Sequence, residues 1–513
     1  MYPLRFYCID PMFKTSKLQK FKTSKLQNFK TSKLQNLKIS KLQILKTSKL
    51  QILKTSNSQN LKFPKVRQVS SVTVGPPSPC LALLTCSKIA SPEKLAKAHP
   101  KSLKALDLKA LKPVTTFFFK MLRTLPLSSR AETTSLKQPK ELFSYSRNID
   151  GEWQTDEAVS KQESLSHFYF PDSYVDKQLS LQGGIKTFKK IPDAENVAHF
   201  PSLLKSLQAH EQTTGKKVKA DIITFRGIMT KLLTLPYYLN NEIHLYVIAY
   251  DGQIFIKNDD ELDLKRRAAD HEQARGDPAK ENHLATCEYG GYKFEALTTL
   301  KKPWAQTSRA TIEKRYKKAV NNYEQYISVV RSGVGKVKTL LAGEVDCVWD
   351  YIPEDHADIL SHYAELKTSR LVETPQQAFQ FEKKLFRTWA QCFLLGITHI
   401  VYGLRDDKYV LRDVEVYQTE EVPLLIKDND IPGRTGPKVV CMNALKWYGA
   451  VLDWIVKNVD IKDDSKAYKI DYDSGSRSFM LSECVGDENK QLRNGGILTD
   501  EFKAWRETLR ATR

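Results

Sequence analysis

Apolar positions recur every eight residues along the first sixty: Phe13, Phe21, Phe29, Leu37, Leu45, Leu53 and Leu61, in units of the form Phe-Lys-Thr-Ser-Lys-Leu-Gln-Asn. A period of eight fits neither an amphipathic helix nor a heptad. The second apolar residue of a unit (Leu18, Leu26, Leu34) lies five after the first. A strand would therefore place the two on opposite faces. Lysines interrupt every unit, so no core closes, and residues 1–137 are expected to form a disordered basic arm. Beyond it the pattern changes. Glu242–Tyr250 and Gln253–Lys257 flank Asp251-Gly252, which predicts a hairpin. Ile223–Leu233 is an apolar run around Arg226-Gly227. Gly290-Gly291-Tyr292-Lys293-Phe294-Glu295 predicts a strand ending in an acid. Ile312, Tyr316, Ala319, Val320, Tyr323, Ile327 and Val330 fall at helical spacing and predict a long helix that Gly333 ends.

Further on, Thr374 is a good N-cap, Pro375 follows at the first helical position, and Gly396 is the stop. Phe381, Leu385, Trp389, Cys392 and Phe393 form the buried stripe of that helix, with Gln391 off it. Ile397–Leu404 and Tyr409–Tyr417 around Arg405-Asp406-Asp407-Lys408 predict a second hairpin, and Asn443–Val459 and Asp500–Leu509 read as helices. Strands and helices interleave throughout. The expected architecture is one large mixed α/β (α+β) domain over residues 138–513.

Charge changes the picture chiefly by its location. The formal net charge is +21, but residues 1–137 hold 27 Lys or Arg against four acids, whereas the remaining 376 residues hold 53 basic and 55 acidic side chains. The excess belongs to the arm, which suits a polyanion-binding or nuclear-targeting tail. Any RNA groove in the body must be a local patch. The eight cysteines show no Cys-x-x-Cys spacing and imply no zinc site and no disulfide-linked partner. Apolar stretches are too short to span a membrane. Ser332-Gly333-Val334-Gly335-Lys336 is not a phosphate-binding loop, because Val330 and Val337 stand where that motif needs Gly and Ser or Thr.

Candidate chemistry centres on Glu344 to Lys367. Glu344-Val345-Asp346 followed by Glu365-Leu366-Lys367 places acids two apart in what reads as two neighbouring strands, so their side chains share a face. Three carboxylates and one ammonium then converge, a set that suits hard divalent cations and phosphodiester chemistry. Solvated acids at strand edges would give the same pattern. The Glu-x-Lys half resembles the PD-(D/E)xK nuclease pattern.

A longer series sharpens this. Gln138-Pro139-Lys140-Glu141-Leu142-Phe143-Ser144-Tyr145-Ser146 opens it. There follow Thr224-Phe225-Arg226-Gly227 with Lys231-Leu232-Leu233, then Gly291-Tyr292-Lys293-Phe294-Glu295, Glu344-Val345-Asp346, Glu365-Leu366-Lys367 and the Trp389-x-Gln391 helix. In this order they resemble the DXO/Rai family of RNA 5′-end decapping nucleases, nearest its fungal nuclear branch. The resemblance covers about residues 138–513 and leaves the arm without a counterpart.

The resemblance implies two packed β-sheets, one large and mixed, with flanking helices and a deep pocket for two divalent cations, Mg or Mn. It implies Glu295, Glu344, Asp346 and Glu365 as ligands, with the Leu366 carbonyl. Lys367 and Gln391 would act with Glu365 in catalysis and, with Glu295, contact the substrate; Arg226 would bind RNA phosphates. The implied activity removes triphosphates, incomplete caps or an NAD cap, with 5′→3′ exonuclease activity in some members. A nuclear location and a nuclear 5′→3′ exoribonuclease partner are also implied. A stabilising subunit with a weak pocket, and a DNA nuclease, are the alternatives.

Overall fold

The Asp251-Gly252 turn shows how local sequence sets the frame. Both residues take positive φ (50° and 69°), the geometry a tight hairpin needs, and the strands on either side pair as Tyr250 with Gln253 and Ala249 with Ile254. The computed structural model describes residues 120–123, 135–171, 177–354 and 358–511, with only the backbone of the first segment. The eight-residue repeat lies outside the described residues. Residues 108–513 form one compact unit.

Among the described residues sixteen strands build two mixed sheets. They are β1 (Lys120–Arg123), β2 (Leu136–Arg147), β3 (Trp153–Gln154), β4 (His167–Phe168), β5 (Ile222–Phe225), β6 (Ile243–Tyr250), β7 (Gln253–Asn258), β8 (Thr299–Leu300), β9 (Gln325–Val334), β10 (Val337–Glu344), β11 (Cys347–Val348), β12 (Tyr363–Arg370), β13 (His399–Arg405), β14 (Leu411–Gln418), β15 (Ala467–Asp473) and β16 (Ser478–Cys484). The ten-stranded sheet runs β1-β16-β15-β6-β7-β5-β10-β9-β2-β3, and the six-stranded sheet β14-β13-β12-β11-β4-β8. The helices that matter here are α1 (Phe200–Thr214), α2 (Arg226–Thr234), α3 (Pro278–Thr298), α4 (Pro375–Leu395), α5 (Cys441–Asn458) and α6 (Asp500–Ala511).

Side-chain alternation sorts the core into three parts. Leu245, Val247 and Ala249 of β6 join a cluster with α2, α4, α5 and the small sheet's Tyr363, Ile400 and Tyr402. Ile248 and Tyr250 face the other way, beneath α1 and Phe502 of α6. Ala364, Leu366 and Val401 of the small sheet face Phe294 and Leu297 of α3. A buried ion pair locks α6 down: the Arg506 guanidinium donates to both carboxylate oxygens of Glu211 in α1 at 2.8 Å, with both side chains fully buried.

Three expectations change. Residues 290–295 are not a strand but the last turns of α3. The glycine pair looks like a breaker, yet the stretch keeps helical spacing with Tyr289, Lys293, Phe294 and Leu297 buried, and Gly290 sits at ordinary contact distance from Leu181. The long helix over 312–333 is a short helix, Arg309–Lys314, followed by strand β9. Ile327, Val329 and Val330 are β-branched, and β9 is buried on both faces, so a continuous apolar run there mimics a helical stripe. Finally, β1 lies on the arm side of the boundary drawn at 137/138 and pairs with β16, and that boundary itself falls inside β2.

The α4 helix follows its sequence signals: Thr374 and Gln377 form a reciprocal capping box, Pro375 opens it, and Gly396 closes it at φ 82°. The Ser332–Lys336 stretch spans the turn of the β9–β10 hairpin, with Gly335 at φ 57°.

Candidate active site

The chain changes sheets at Val345-Asp346. Strand β10 ends in the large sheet at Glu344, and after only two intervening residues β11 begins in the small one. Val345 is buried at the crossing, its N–H bonded to the Tyr326 carbonyl at 3.0 Å. Asp346 therefore lies between strands rather than within the one that carries Glu344. Antiparallel β11 and β12 pair Cys347 with Ala364, so the Glu365-Leu366-Lys367 strand is indeed the neighbour. The Leu366 N–H donates to Asp346 Oδ2 at 2.6 Å, which fixes that carboxylate over β12.

Around this crossing the sequence-predicted residues meet. Glu295 comes from α3, Glu344 from the end of β10, Glu365 and Lys367 from β12, Gln391 from α4 and Arg226 from the start of α2; with Asp346 they line one cleft of about 520 Å³. The Leu366 side chain points into the core beneath α3, and its carbonyl accepts from Lys367 Nζ at 3.2 Å. The Lys367 ammonium stands 2.6 Å from Glu365 Oε1 and 3.9 Å from Asp346 Oδ2. Arg226 Nη2 donates to the Glu344 carbonyl at 3.2 Å and lies 3.8 Å from Glu365 Oε2. Arg226 is thus a counter-charge among the acids, deep in the cleft.

Electrostatics shows a site short of positive charge. Desolvation in the cleft and the neighbouring Asp346 push Glu344 up to about 7. Desolvation and Glu365 push Asp346 up to about 6. Glu295 is raised well above its ordinary range by burial and then by Asp346. Burial would also raise Glu365, but Lys367 and Arg226 outweigh it and hold that carboxyl low. Burial opposes the Lys367 charge, yet Glu365 and Asp346 outweigh it and keep the ammonium protonated beyond its usual range. Four carboxylates against two fixed cations leave a deficit of two positive charges. Glu365 Oε2 is moreover buried without a hydrogen-bond partner.

Among the described residues no three acids, histidines or cysteines are already drawn into a coordination cage; Lys367 sits between two of the acids instead. Donor chemistry and charge deficit nonetheless fit an oxygen-seeking divalent cation. Glu344 is exposed at the end of β10, but solvated acids at strand edges would not bury Glu365 to 2 % exposure or raise Glu295 and Asp346.

Tyr145 and Tyr292, named above only within motifs, also line the cleft. Other residues escaped the sequence: Trp153 and His199 stack at 5.2 Å with 7° between their planes and line the cleft. Arg147 lies over Trp153 at 5.6 Å. Only His199 left a trace: it caps α1, with Nδ1 accepting the Ser202 N–H at 3.2 Å, just before a phenylalanine and a proline. The others come from distant segments with no periodicity to mark them.

Comparison with known proteins gives a consistent result. The family model described as RAI1 like PD-(D/E)XK nuclease matches residues 137–503. Decapping nuclease RAI1 of Scheffersomyces stipitis is 55% identical over 394 residues, 76% of this chain and 100% of that protein. The Saccharomyces cerevisiae protein of the same name is 39% identical over 394 residues, 75% of this chain and 98% of that one. The crystal structure of Candida albicans Rai1 in complex with pU5-Mn2+ superposes with a TM-score of 0.73 at 52% identity, covering 75% of this chain and 99% of that one. Scheffersomyces stipitis Rai1 in complex with (3'-NADP)+ and calcium ion gives a TM-score of 0.71 at 54% identity, covering 75% and 100%.

Proposed function

This chain belongs to the RAI1-like family of PD-(D/E)XK nucleases, and from that premise we propose how its cleft acts. The protein is a decapping nuclease, a hydrolase of RNA 5′ ends that works with a divalent metal. The observation that carries the assignment is the convergence of Glu295, Glu344, Asp346, Glu365, Lys367 and Gln391, from five separate segments, on one cleft.

Glu295, Glu344, Asp346, Glu365 and the Leu366 carbonyl would hold two cations, Mg or Mn. Such ions would supply an activated water and charge stabilisation for the displacement at phosphorus. The chain's own groups do the rest. Lys367 stays charged and faces the negative charge that builds on the phosphate. The Gln391 amide offers both a donor and an acceptor and orients the attacking water. Arg226 offsets charge among the acids and meets the phosphates that follow the 5′ end. The substrates are RNAs with a triphosphate, an incomplete cap or an NAD cap; the bound pU5 and (3'-NADP)+ of the two relatives support this range. A nuclear location and association with a nuclear 5′→3′ exoribonuclease complete the proposal; native purification under mild salt that recovers no such enzyme would count against it.

The test pairs two variants. Asp346→Ala removes a ligand and abolishes both calorimetric Mn binding and product release from 5′-triphosphate RNA. Lys367→Ala keeps Mn binding while turnover falls about 10²–10³-fold. Wild-type turnover in Asp346→Ala would refute the assignment.

A further inference from the structure

The far end of the same sheet face carries a second charged surface. Period-2 alternation puts Lys338, Leu340, Ala342 and Glu344 of β10 on one face. Glu344 lines the cleft; Lys338, six residues back, lies about 20 Å from it along the strand. There the sheet register builds a grid. Lys137 of β2, Gly333 of β9 and Lys338 of β10 form one row, and Lys140, Arg331 and Leu340 the next. A two-residue bulge at Gln138-Pro139 brings Lys137 and Lys140 to the same face. Gly333 leaves the first row open in its middle, and a methyl group there would meet the Val337 carbonyl at 2.4 Å.

These residues and Lys219 line a depression of about 850 Å³. All five cationic side chains are exposed, and among the described residues none of them is in an ion pair. Five such side chains around one depression make a local cationic patch in a body whose charges nearly balance. Lys140 directly opposite Arg331 is itself unfavourable. Among the described residues two acids reach the wall. Glu141 turns inward to accept from the Ser328 hydroxyl at 2.5 Å and the Tyr363 hydroxyl at 3.2 Å, which leaves Asp358 against five cations. Lys140 and Arg331 stand about 5 Å apart on adjacent strands, Lys137 and Lys338 about 10 Å apart with Gly333 between them, and the two rows are about 7 Å apart along the strands, distances that phosphates of one strand can span. Ile359 and Leu360, the aliphatic side chains of the wall, are buried, so the surface offers little for a protein segment to cover.

We propose that this depression is a second RNA-binding site, which holds phosphates of the substrate strand downstream of the 5′ end seated in the cleft. The proposal rests on the reading of the cleft given above for the identity of the polymer. It makes the enzyme sensitive to RNA length as well as to the chemistry of the end.

The experiment uses the full chain and an Arg331→Glu/Lys338→Glu variant, with Arg331→Gln/Lys338→Gln as a milder pair. Hydrolysis is followed on a 5′-triphosphate pentanucleotide and on an unstructured RNA of several tens of nucleotides. Binding of the long RNA is followed against salt in calcium. In the reversed variant the KM for long RNA rises several-fold, pentanucleotide turnover is unchanged, and the slope of log affinity against log salt falls by roughly 1.4, about 0.7 for each phosphate contact on a single strand. The Gln pair moves in the same direction by less. An unchanged KM and slope for long RNA overturn the proposal, and do so even if an acidic protein partner is lost. Failure of the wild-type protein to cleave the pentanucleotide strikes the reading of the cleft instead; the salt slope still decides this one.

Discussion

Gly403 of β13 tests whether α3 is held to ångström precision. A methyl group built on Gly403 would lie 2.5, 2.7 and 2.9 Å from three ring carbons of Phe294. Carbon atoms settle at about 3.5–4.0 Å, so the ring must retreat by roughly 1 Å. It has little room. Phe294 is fully buried among Leu181, Leu297, Leu366 and Val401. The retreat therefore moves α3, and Glu295 is the next residue along it. Gly403→Ala should cost about 1–3 kcal/mol as overpacking, and lower Tm by roughly 1–4 °C for a domain of this size. A displacement of about 1 Å at a positioned catalytic group costs on the order of 10²-fold in rate. Turnover at a temperature where the variant is fully folded should fall by that factor, with weaker Mn binding by calorimetry. The smaller side chain of Phe294→Leu leaves room for the new methyl, so the double variant should recover much of both losses, a coupling that independent sites would not show. Undiminished turnover and Mn affinity in Gly403→Ala would refute this account of how Glu295 is placed.

Three further outcomes are expected. Arg506→Met strands a fully buried Glu211 carboxylate and should destabilise the protein by about 3–5 kcal/mol in chemical denaturation; a loss below about 1 kcal/mol would show that Glu211 finds other partners. In chelator, Glu344 and Asp346 titrate near 7 and 6, above their unfolded values of 4.5 and 3.8. The folded state then binds more protons than the unfolded one between about pH 4 and 7, so the metal-free protein should lose stability as pH rises through that window. Asp346→Asn should flatten the slope, and a Tm that climbs from pH 5 to 8 would contradict the sign. Deletion of residues 1–107 spares the compact unit that begins at Leu108 and should leave pentanucleotide turnover and Tm unchanged while weakening RNA binding at low salt; a deletion variant that does not fold would show that the arm is structural.

What could be read in advance followed from local rules. The α4 helix was legible because Thr374, Pro375 and Gly396 each carry a specific end signal, and the Asp251-Gly252 hairpin because few other residue pairs accept two positive φ angles. The acid pattern from Glu344 to Lys367 was legible as chemistry but not as geometry, since nothing local says that the chain leaves one sheet for another at Asp346. Burial on both faces defeated periodicity at β9. The two glycines at 290–291 masked a helix that buries Tyr289, Lys293, Phe294 and Leu297. Trp153 and His199 meet only through the docking of α1, which no local rule encodes.

The passage between the sheets is a tether with almost no slack. Two residues, each reaching at most about 3.6 Å, join Glu344 in one sheet to Cys347 in the other. The acids on either side of it are therefore spaced by how the two sheets sit on each other, and activity becomes a gauge of that seating. Neither sheet alone owns a working half of the centre. A core substitution that slides one sheet against the other will silence the enzyme while most of the fold is still intact, and silent variants should accordingly map to the interior between the sheets as often as to the cleft.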